Sequence, residues 1–351
     1  MNGQTPESLS CPLPLPQDEQ ITMIHGGGGT AMHRLIERVF KSQFDNDLLR
    51  QDHDAAVFAV DGTRFAFTTD SFVIQPLVFP GGDIGSLAVY GTVNDLAMAG
   101  ARPLYLSAGF IVEAGLPTQV LSDIVASMQR AAEASNIQIV TGDTKVVEHG
   151  HGDGVFINTA GIGVIEHGRV IAPRSIQPGD AVLVSGDLGR HGIAVMAVRE
   201  GLEFETTLTS DCAPLAAPVL ALLRENVAIR CLRDLTRGGL TSAVNEIAAA
   251  SGRAVHLRES AIPVRDDVRG ACELLGLDPL AVANEGRFVA IVDHSDADRA
   301  LDTLRGHAVD TTPAVIGEVL DSSPARVTIE SRIGSVRILD MPSGEQLPRI
   351  C

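Results

Sequence analysis

The run Ile84-Gly85-Ser86-Leu87-Ala88-Val89-Tyr90-Gly91-Thr92-Val93-Asn94-Asp95-Leu96-Ala97-Met98-Ala99 reads as one long helix, rich in small residues and apolar on nearly every side. A helix of that kind has no solvent face, so it must lie against a sheet or a partner subunit. Asp95 sits midway along it. A carboxylate in such surroundings is expected to be buried, and a buried carboxylate needs a partner or a cation.

Strand signals lie on both sides of this helix. Upstream, Ala55–Val60 and Phe65–Thr69 are short β-branched and aromatic runs joined by Asp61-Gly62, a hairpin turn. Further upstream, His25-Gly26-Gly27-Gly28-Gly29 precedes Thr30, a candidate cap for a helix from Ala31 to about Phe40. Downstream come a strand at Leu104–Val112, a helix at Leu121–Ala134, a strand at Ile137–Val140 ending in Thr141-Gly142-Asp143-Thr144-Lys145, and a strand at Val155–Ile165. Two prolines and a glycine within 173–179 suggest a domain boundary. The second half starts again with a strand at Ala181–Val184, helices from about Ile193 and at Ala216–Arg224, and Asp234-Leu235-Thr236-Arg237-Gly238-Gly239 opening a helix at Leu240–Ala250. A strand at Phe288–Val292, a helix at 296–305 and strands near 314–319 and 334–339 complete it. The expected fold class is α/β with mixed (α+β) sheets in two domains. The divisions are a flexible segment over 1–24, an N-terminal domain over 25–172, a C-terminal α/β domain over 173–340 and a mobile tail over 341–351.

With 351 residues, 45% hydrophobic and 20% charged, the chain can bury two cores. Acidic residues outnumber basic ones by 44 to 27, for a net charge of −17, which disfavours nucleic acid and anionic membranes as partners. Any anionic substrate would need local cations, with Mg²⁺ the obvious one. The five cysteines, Cys11, Cys212, Cys231, Cys272 and Cys351, form no CxxC pair, which excludes zinc ribbons and thioredoxin-like sites and suits a reducing, cytoplasmic setting. No basic-then-apolar leader and no run of about 18 apolar residues is seen, so neither a signal peptide nor a membrane span is expected.

The tail Met341-Pro342-Ser343-Gly344-Glu345-Gln346-Leu347-Pro348-Arg349-Ile350-Cys351 ends in a thiol. Its prolines and glycine forbid a regular helix or a central strand, which is the character of a tethered carrier arm. Five aspartates stand at strand ends, helix starts or inside the apolar helix: Asp54, Asp70, Asp95, Asp143 and Asp234. Each alone reads as a cap or turn former; converging, they would make a magnesium site that phosphate oxygens and water complete. The four glycines before a helix offer backbone N–H groups to a phosphate, or serve as a hinge. Lys145 and Glu285 are charges without a periodic explanation, and His149 and His151 flank Gly150 in a loop where solvated histidines are the plainer reading and a metal the alternative.

Taken together, His25-Gly26-Gly27-Gly28-Gly29, Asp52-His53-Asp54-Ala55-Ala56, Thr68-Thr69-Asp70-Ser71-Phe72, Val93 to Ala101, Gly142-Asp143-Thr144-Lys145, Asp234 to Gly239 and the terminal Leu347-Pro348-Arg349-Ile350-Cys351 resemble the HypE family of hydrogenase-maturation carbamoyl dehydratases. That family falls in the aminoimidazole ribonucleotide synthetase-like superfamily. The resemblance runs from His25 to Cys351, and the terminal pentapeptide is its specific part. It implies a homodimer whose N-terminal domains build a β-barrel, with ATP and Mg²⁺ in a cleft beside it. It implies a carbamoyl group placed on the terminal thiol by the carbamoyltransferase HypF, ATP-dependent dehydration of that group to a thiocyanate, and transfer of the nitrile to iron on a HypC–HypD complex as a cyanide ligand of the [NiFe]-hydrogenase centre. By motif, Asp54, Asp70, Asp95 and Asp234 go to magnesium. Gly26, Gly27, Gly28, Gly29, Asp54, Asp70, Asp95, Asp143 and Thr236 go to the nucleotide, and Cys351, Glu285 and Lys145 to catalysis. Glu285 is the expected base, and Lys145 either neutralises an oxyanion or shares the proton work. Leu347 and Ile350 are the expected apolar anchors of a docked tail, and Pro348 limits its ordering entropy. A selenophosphate synthetase-type kinase would want a reactive Cys and a Lys in the glycine-rich loop, and a purine-biosynthetic synthetase leaves Cys351 without a role. A non-catalytic thiol carrier would not need the carboxylates.

Overall fold

A computed structural model describes residues 20–201, 208–307, 312–322, 324–343, 347 and 349–351. Most of the expected N-terminal flexible segment, with Cys11, lies outside the described residues, as do Pro348 and residues 344–346 of the tail. The glycine run leads into α1 (Thr30–Leu35), which continues through a π-helical turn, Ile36–Lys41, into α2 (Ser42–Phe44). Next come β1 (Ala56–Val60), β2 (Thr63–Phe72), the short pair β3 (Val78–Phe79) and β4 (Gly82–Asp83), and α3 (Ile84–Met98). Then β5 (Arg102–Glu113), α4 (Thr118–Ala134), β6 (Gln138–Val147) and β7 (Val155–Ile165) complete an open five-stranded sheet of order β1-β2-β7-β5-β6. Only β5 and β6 run parallel, because α4 carries the chain back across the sheet between them.

The second sheet has seven strands in the order β14-β13-β10-β12-β8-β11-β9. It is built from β8 (Ala181–Val184), α5 (Arg190–Arg199), α6 (Ala216–Arg224), β9 (Ile229–Asp234), α7 (Gly239–Ser251), β10 (Ala254–Arg258), α8 (Asp266–Leu275), β11 (Phe288–Val292), α9 (Ala297–His307), β12 (Ala314–Leu320), β13 (Val327–Glu330) and β14 (Val336–Ile338). β8 and β11 are buried along their whole length, which is why they read as unbroken apolar runs.

The helix α3 explains the join. It packs on β2 and β7 of the first sheet, on α4, and on α6 and β9 of the second half. Both faces are therefore covered within one chain, and twelve of its fifteen residues are buried. Asp83 caps it, accepting from the N–H groups of Gly85 (2.7 Å) and Ser86 (3.0 Å). On the far face Asn94 accepts from Leu215 N–H (2.8 Å) and donates to the carbonyls of Ala213 and Glu285 (both 3.1 Å). One buried amide thus ties the helix that carries Asp95 to the strand-leading segment that carries Glu285.

Candidate active site

Four of the five expected aspartates converge. Asp54 just before β1, Asp70 inside β2, Asp95 on α3 and Asp234 at the end of β9 line one cleft of about 290 Å³ between the two halves, with Gly28, Thr236 and Arg237. Burial pushes all four carboxyls up, Asp54 to about 6. Asp95 and Asp234 stand well above the ordinary carboxylate range because, after burial, neighbouring acids add to the effect: Asp234, Asp54 and Asp70 on Asp95, and Asp54 on Asp234. Thr68 donates to Asp95 Oδ2 (2.8 Å), and Arg233 Nε meets Asp54 Oδ1 at 3.1 Å while its other arm holds Glu246. Glu246, pushed up by burial, is brought down to about 2 by Arg233 and by His33, whose Nε2 lies 3.0 Å from Oε1.

Asp54 Oδ2 is buried with no hydrogen-bond partner. An orphaned oxygen among mutually repelling acids is suited to a cation. Among the described residues, however, no three His, Cys, Asp or Glu side chains stand close enough to hold a metal on their own. The donor set fits an ion held by one or two carboxylates and completed by phosphate and water oxygens, as is usual for Mg²⁺.

A stability profile follows from the sign of these shifts. Asp54 binds its proton more tightly folded than unfolded, so it favours the fold at low pH and loses that contribution as pH rises from about 4 through about 6. In chelator, the melting temperature is expected to fall by several degrees between about pH 5 and about pH 7.5. Magnesium at saturating level should flatten the fall, and so should Asp54→Asn or Asp95→Asn. A chelated wild type with no such slope would show that these acids do not share a site.

The glycine run packs against the other half. Gly28 has φ +71°, and a Cβ there would lie 2.7 Å from the Arg237 carbonyl oxygen, so only glycine lets the segment pass. Its own carbonyl accepts from Ser242 Oγ (3.0 Å). Gly28 therefore lines the cleft, and Gly27 lines a smaller space beneath the tail. Thr30, expected as a helix cap, instead donates through both its N–H and its hydroxyl to the Pro342 carbonyl (3.0 Å each), pinning the start of the tail; Gly29 occupies the cap position.

The end of the tail is docked. Leu347 and Ile350 are buried as apolar anchors. Val73 N–H donates to the Cys351 carbonyl (3.0 Å) and Gln75 N–H to the Arg349 carbonyl (3.3 Å), so the tail adds as a strand to the segment leaving β2. His191 Nε2 lies 2.8 Å from the Ile350 carbonyl. A carbonyl only accepts, so Nε2 carries the proton and Nδ1 accepts from the Ser210 hydroxyl (2.8 Å). A space of about 20 Å³, enough for one water, remains among Arg237, Gly27, Leu347 and Ile350.

This docking brings Cys351 to Arg237 and Glu285. Arg237 is held charged chiefly by Cys351 and, against burial, by Asp70, Glu285 and Asp95. The Cys351 thiol is pushed up to about 12 by burial, with Glu285, Asp70 and Asp234 adding to it and Arg237 opposing. Glu285 is buried, and burial with Asp234, Asp70 and Asp211 raises it well above the ordinary range. Its Oε1 has no hydrogen-bond partner. Asn284 holds the loop by accepting from Gly189 N–H (2.7 Å) and donating to the Leu235 carbonyl (3.1 Å), and Gly286 allows the backbone to pass where a Cβ would lie 1.9 Å from the Asp211 carbonyl oxygen. Arg237, His191 and the 73–75 segment were not singled out from sequence. Arg237 had a signal, as a cation between Asp234 and two glycines that open a helix; His191 had none.

Asp143 and Lys145 are not among the residues lining this cleft. Asp143, expected to close a strand, lies in the middle of β6, which runs on to Val147. Lys145 Nζ meets Asp143 Oδ2 at 2.5 Å, both side chains being exposed. β6 pairs with β5 alone and leaves Ile139, Val140 and Val146 in solvent. Among the described residues the other three cysteines are held as thiols: Cys231 is pushed up to about 12 and Cys272 to about 11 by burial, and Cys212 is raised well above its ordinary value by burial and by Glu285. Among the described residues no helix is long and apolar enough to cross a membrane.

Comparison with known proteins bears on the family and the fold. Residues 52–165 match the AIR synthase related protein N-terminal domain family and 177–330 the corresponding C-terminal domain family. The chain is 50% identical over 352 residues to the carbamoyl dehydratase HypE of Cupriavidus necator, with all of both chains covered. A HypE chain from the crystal structure of a HypE–HypF complex aligns with a TM-score of 0.83 and 47% identity, covering 88% of this chain and 99% of that one. A HypE crystallised in complex with ATP aligns at 0.79 and 45% identity, covering 94% and 100%.

Proposed function

The chain belongs to the HypE family of carbamoyl dehydratases, and on that premise we propose that it dehydrates a carbamoyl group carried on its own Cys351 to a thiocyanate, using ATP. Its enzymatic role is that of a carbamoyl dehydratase in hydrogenase maturation. The observation that carries the residue-level reading is the docked tail, which brings Cys351 within electrostatic reach of Arg237 and Glu285.

The chemistry needs an oxygen made into a leaving group and two protons taken from nitrogen. In the proposed sequence the carbamoyl oxygen of S–CO–NH₂ takes the terminal phosphoryl group of ATP and one N–H proton is lost, leaving an O-phosphorylated imidate. The C–O bond then breaks, phosphate departs with the electron pair, and loss of the second N–H proton leaves S–C≡N. Arg237 sits where it can stabilise the oxygen as charge develops. Glu285 is the proton acceptor, in a pocket that holds its proton affinity high. Asp54, Asp70, Asp95 and Asp234, with Thr236 and the glycine run, hold the nucleotide phosphates and their metal. Mg²⁺, when bound there, supplies positive charge to the transferring phosphoryl group. A closed tail keeps water from the intermediate. The raised thiol gives a reason for the arm to move: the docked sulfur is protonated and a poor nucleophile, so loading by HypF belongs to the released tail. Delivery to a HypC–HypD iron scaffold is the step this product suits.

The proposed units are 25–172 for nucleotide binding and dimerisation, 173–340 for the α/β domain and 341–351 for the arm, working in a reducing cytosol. The long exposed edge and apolar surface of β6 support a homodimer in which two N-terminal sheets close a barrel. Lys145 would then act on the partner's cleft. A heterodimer of one Lys145→Ala chain with one Cys351→Ala chain is expected to keep one of its two sites working, or none, according to whether Lys145 serves its partner or its own chain. Activity at about half that of wild type in only one of these arrangements, read with a tagged Cys351, decides between them; activity of the Lys145→Ala homodimer equal to wild type would remove Lys145 from the reaction. The direct test of the function is the mass of the Cys351 peptide after incubation with ATP and a carbamoylating partner. Loss of one water from the carbamoyl adduct is expected, and an adduct that never loses it would refute the dehydration.

A further inference from the structure

The loop Glu148-His149-Gly150-His151-Gly152-Asp153-Gly154 between β6 and β7 takes no part in the cleft, and its histidines hold no metal-competent group among the described residues. It is nonetheless built. Glu113, at the end of β5, accepts from Gly150 N–H (2.5 Å) and Gly154 N–H (3.0 Å), and His149 Nδ1 lies 3.2 Å from its Oε1. Gly154 has φ +79°, a conformation that favours glycine. The loop so held presents Asp153 to the guanidinium of Arg349 in the tail.

Arg349 is gripped from three sides. Its Nε donates to the Val73 carbonyl (3.1 Å), its carbonyl accepts from Arg199 Nη2 (2.8 Å) and from Gln75 N–H (3.3 Å), and its terminal nitrogen pairs with Asp153. Arg199 Nε also donates to the Gln75 carbonyl (3.0 Å), so one guanidinium joins the tail to the strand edge it lies on. Arg349 itself has φ +53°, unusual for a residue with a side chain, and such a conformation persists where surrounding contacts over-determine it. The turn sends its side chain outward to the loop while Ile350 is buried on the other side. The Arg349 and Asp153 side chains keep 32% and 35% of their surface exposed. A pair at that depth biases an equilibrium by a small factor and is screened by salt, whereas a deeply buried pair would lock it.

We propose that the 148–154 loop is a reader of the tail: Asp153, with Arg199 and the 73–75 edge, recognises Arg349 and sets the balance between a docked arm and a released one. The inference rests on the carrier role of the tail, and its test is independent of that role. Alkylation of Cys351 by iodoacetamide in the full-length protein, followed by mass spectrometry of the C-terminal peptide, reads the released fraction without ATP or partner, and the buried Cys231 and Cys272 serve as internal controls. Asp153→Asn and Arg349→Gln are each expected to speed alkylation about three- to fivefold at low salt, with the difference from wild type shrinking as salt rises. Asp153→Arg and Arg349→Asp alone should behave alike, and the doubly swapped protein should return to within about twofold of wild type. Arg349 lies in the tail, so its substitutions leave the two domains' cores intact. Unchanged alkylation in the single variants, or a double swap as fast as either single, would overturn the proposal. Failure of the carrier role would appear elsewhere, as an unmodified Cys351 in the carbamoylation assay.

Discussion

Cys351→Ala is expected to abolish thiocyanate formation while leaving nucleotide binding within about twofold of wild type. The reason lies in the protonation of the docked sulfur. Burial pushes that thiol up to about 12, so near neutral pH it is uncharged, and Asp70, Glu285 and Asp95 remain to hold Arg237 when it is replaced. The acids that line the cleft, Arg233 and Glu246 are untouched. What vanishes is the atom that carries the substrate. A tethered group reaches the cleft at an effective concentration no free carbamoyl compound can match, so no soluble substitute should restore full rate. Calorimetric titration with nucleotide and mass analysis of the tail after incubation with ATP and the carbamoylating partner separate the two effects. Thiocyanate production by the alanine variant would end the carrier reading.

The second large effect is expected at Glu285. Glu285→Gln preserves volume and removes the proton acceptor, and dehydration should slow by about 10²- to 10⁴-fold while carbamoylation of Cys351 proceeds and the carbamoyl adduct accumulates. The substitution should not weaken the fold. Burial, then Asp234, Asp70 and Asp211, already hold the Glu285 carboxyl well above the ordinary range, so its charged form is the unfavourable one, and an uncharged amide relieves that pressure. The backbone clamp from Asn94 and Asn284 remains. Because a base must be deprotonated to act, the wild-type rate should climb as pH rises toward the raised value, and the glutamine variant should lose that limb. Dehydration within about threefold of wild type, or an unchanged pH profile, would take Glu285 out of the chemistry.

Much of this architecture was legible in residue order. The Ile84–Ala99 run could be read as a buried helix because nothing in it suits water, and α3 is buried on both faces. Strands β8 and β11, buried throughout, announced themselves as apolar runs for the same reason, and β7 did so with one face buried in alternation. β6 was legible only at its start, as a strand over Ile137–Val140; Gln138–Val147 is exposed along almost its whole length, so no core-facing alternation marks how far it runs on. Short elements such as β10, β13 and α8 also escaped notice, because four to ten residues carry little periodic signal.

By itself the sequence determined the inventory: the acids Asp54, Asp70, Asp95 and Asp234, the glycine run, Glu285 and a thiol at the chain's end. Tertiary structure alone decided their arrangement. Four acids separated by up to 180 positions share a cleft because α3 is pressed between two sheets, and burial there, not residue type, raises their proton affinity. Arg237, His191, Arg199 and Asp153 acquired their places only when the tail folded back onto a strand edge, since each acts through a backbone carbonyl or a side chain that is remote in sequence. Spacing along a chain encodes local periodicity; it does not encode which distant charges will be deprived of water together.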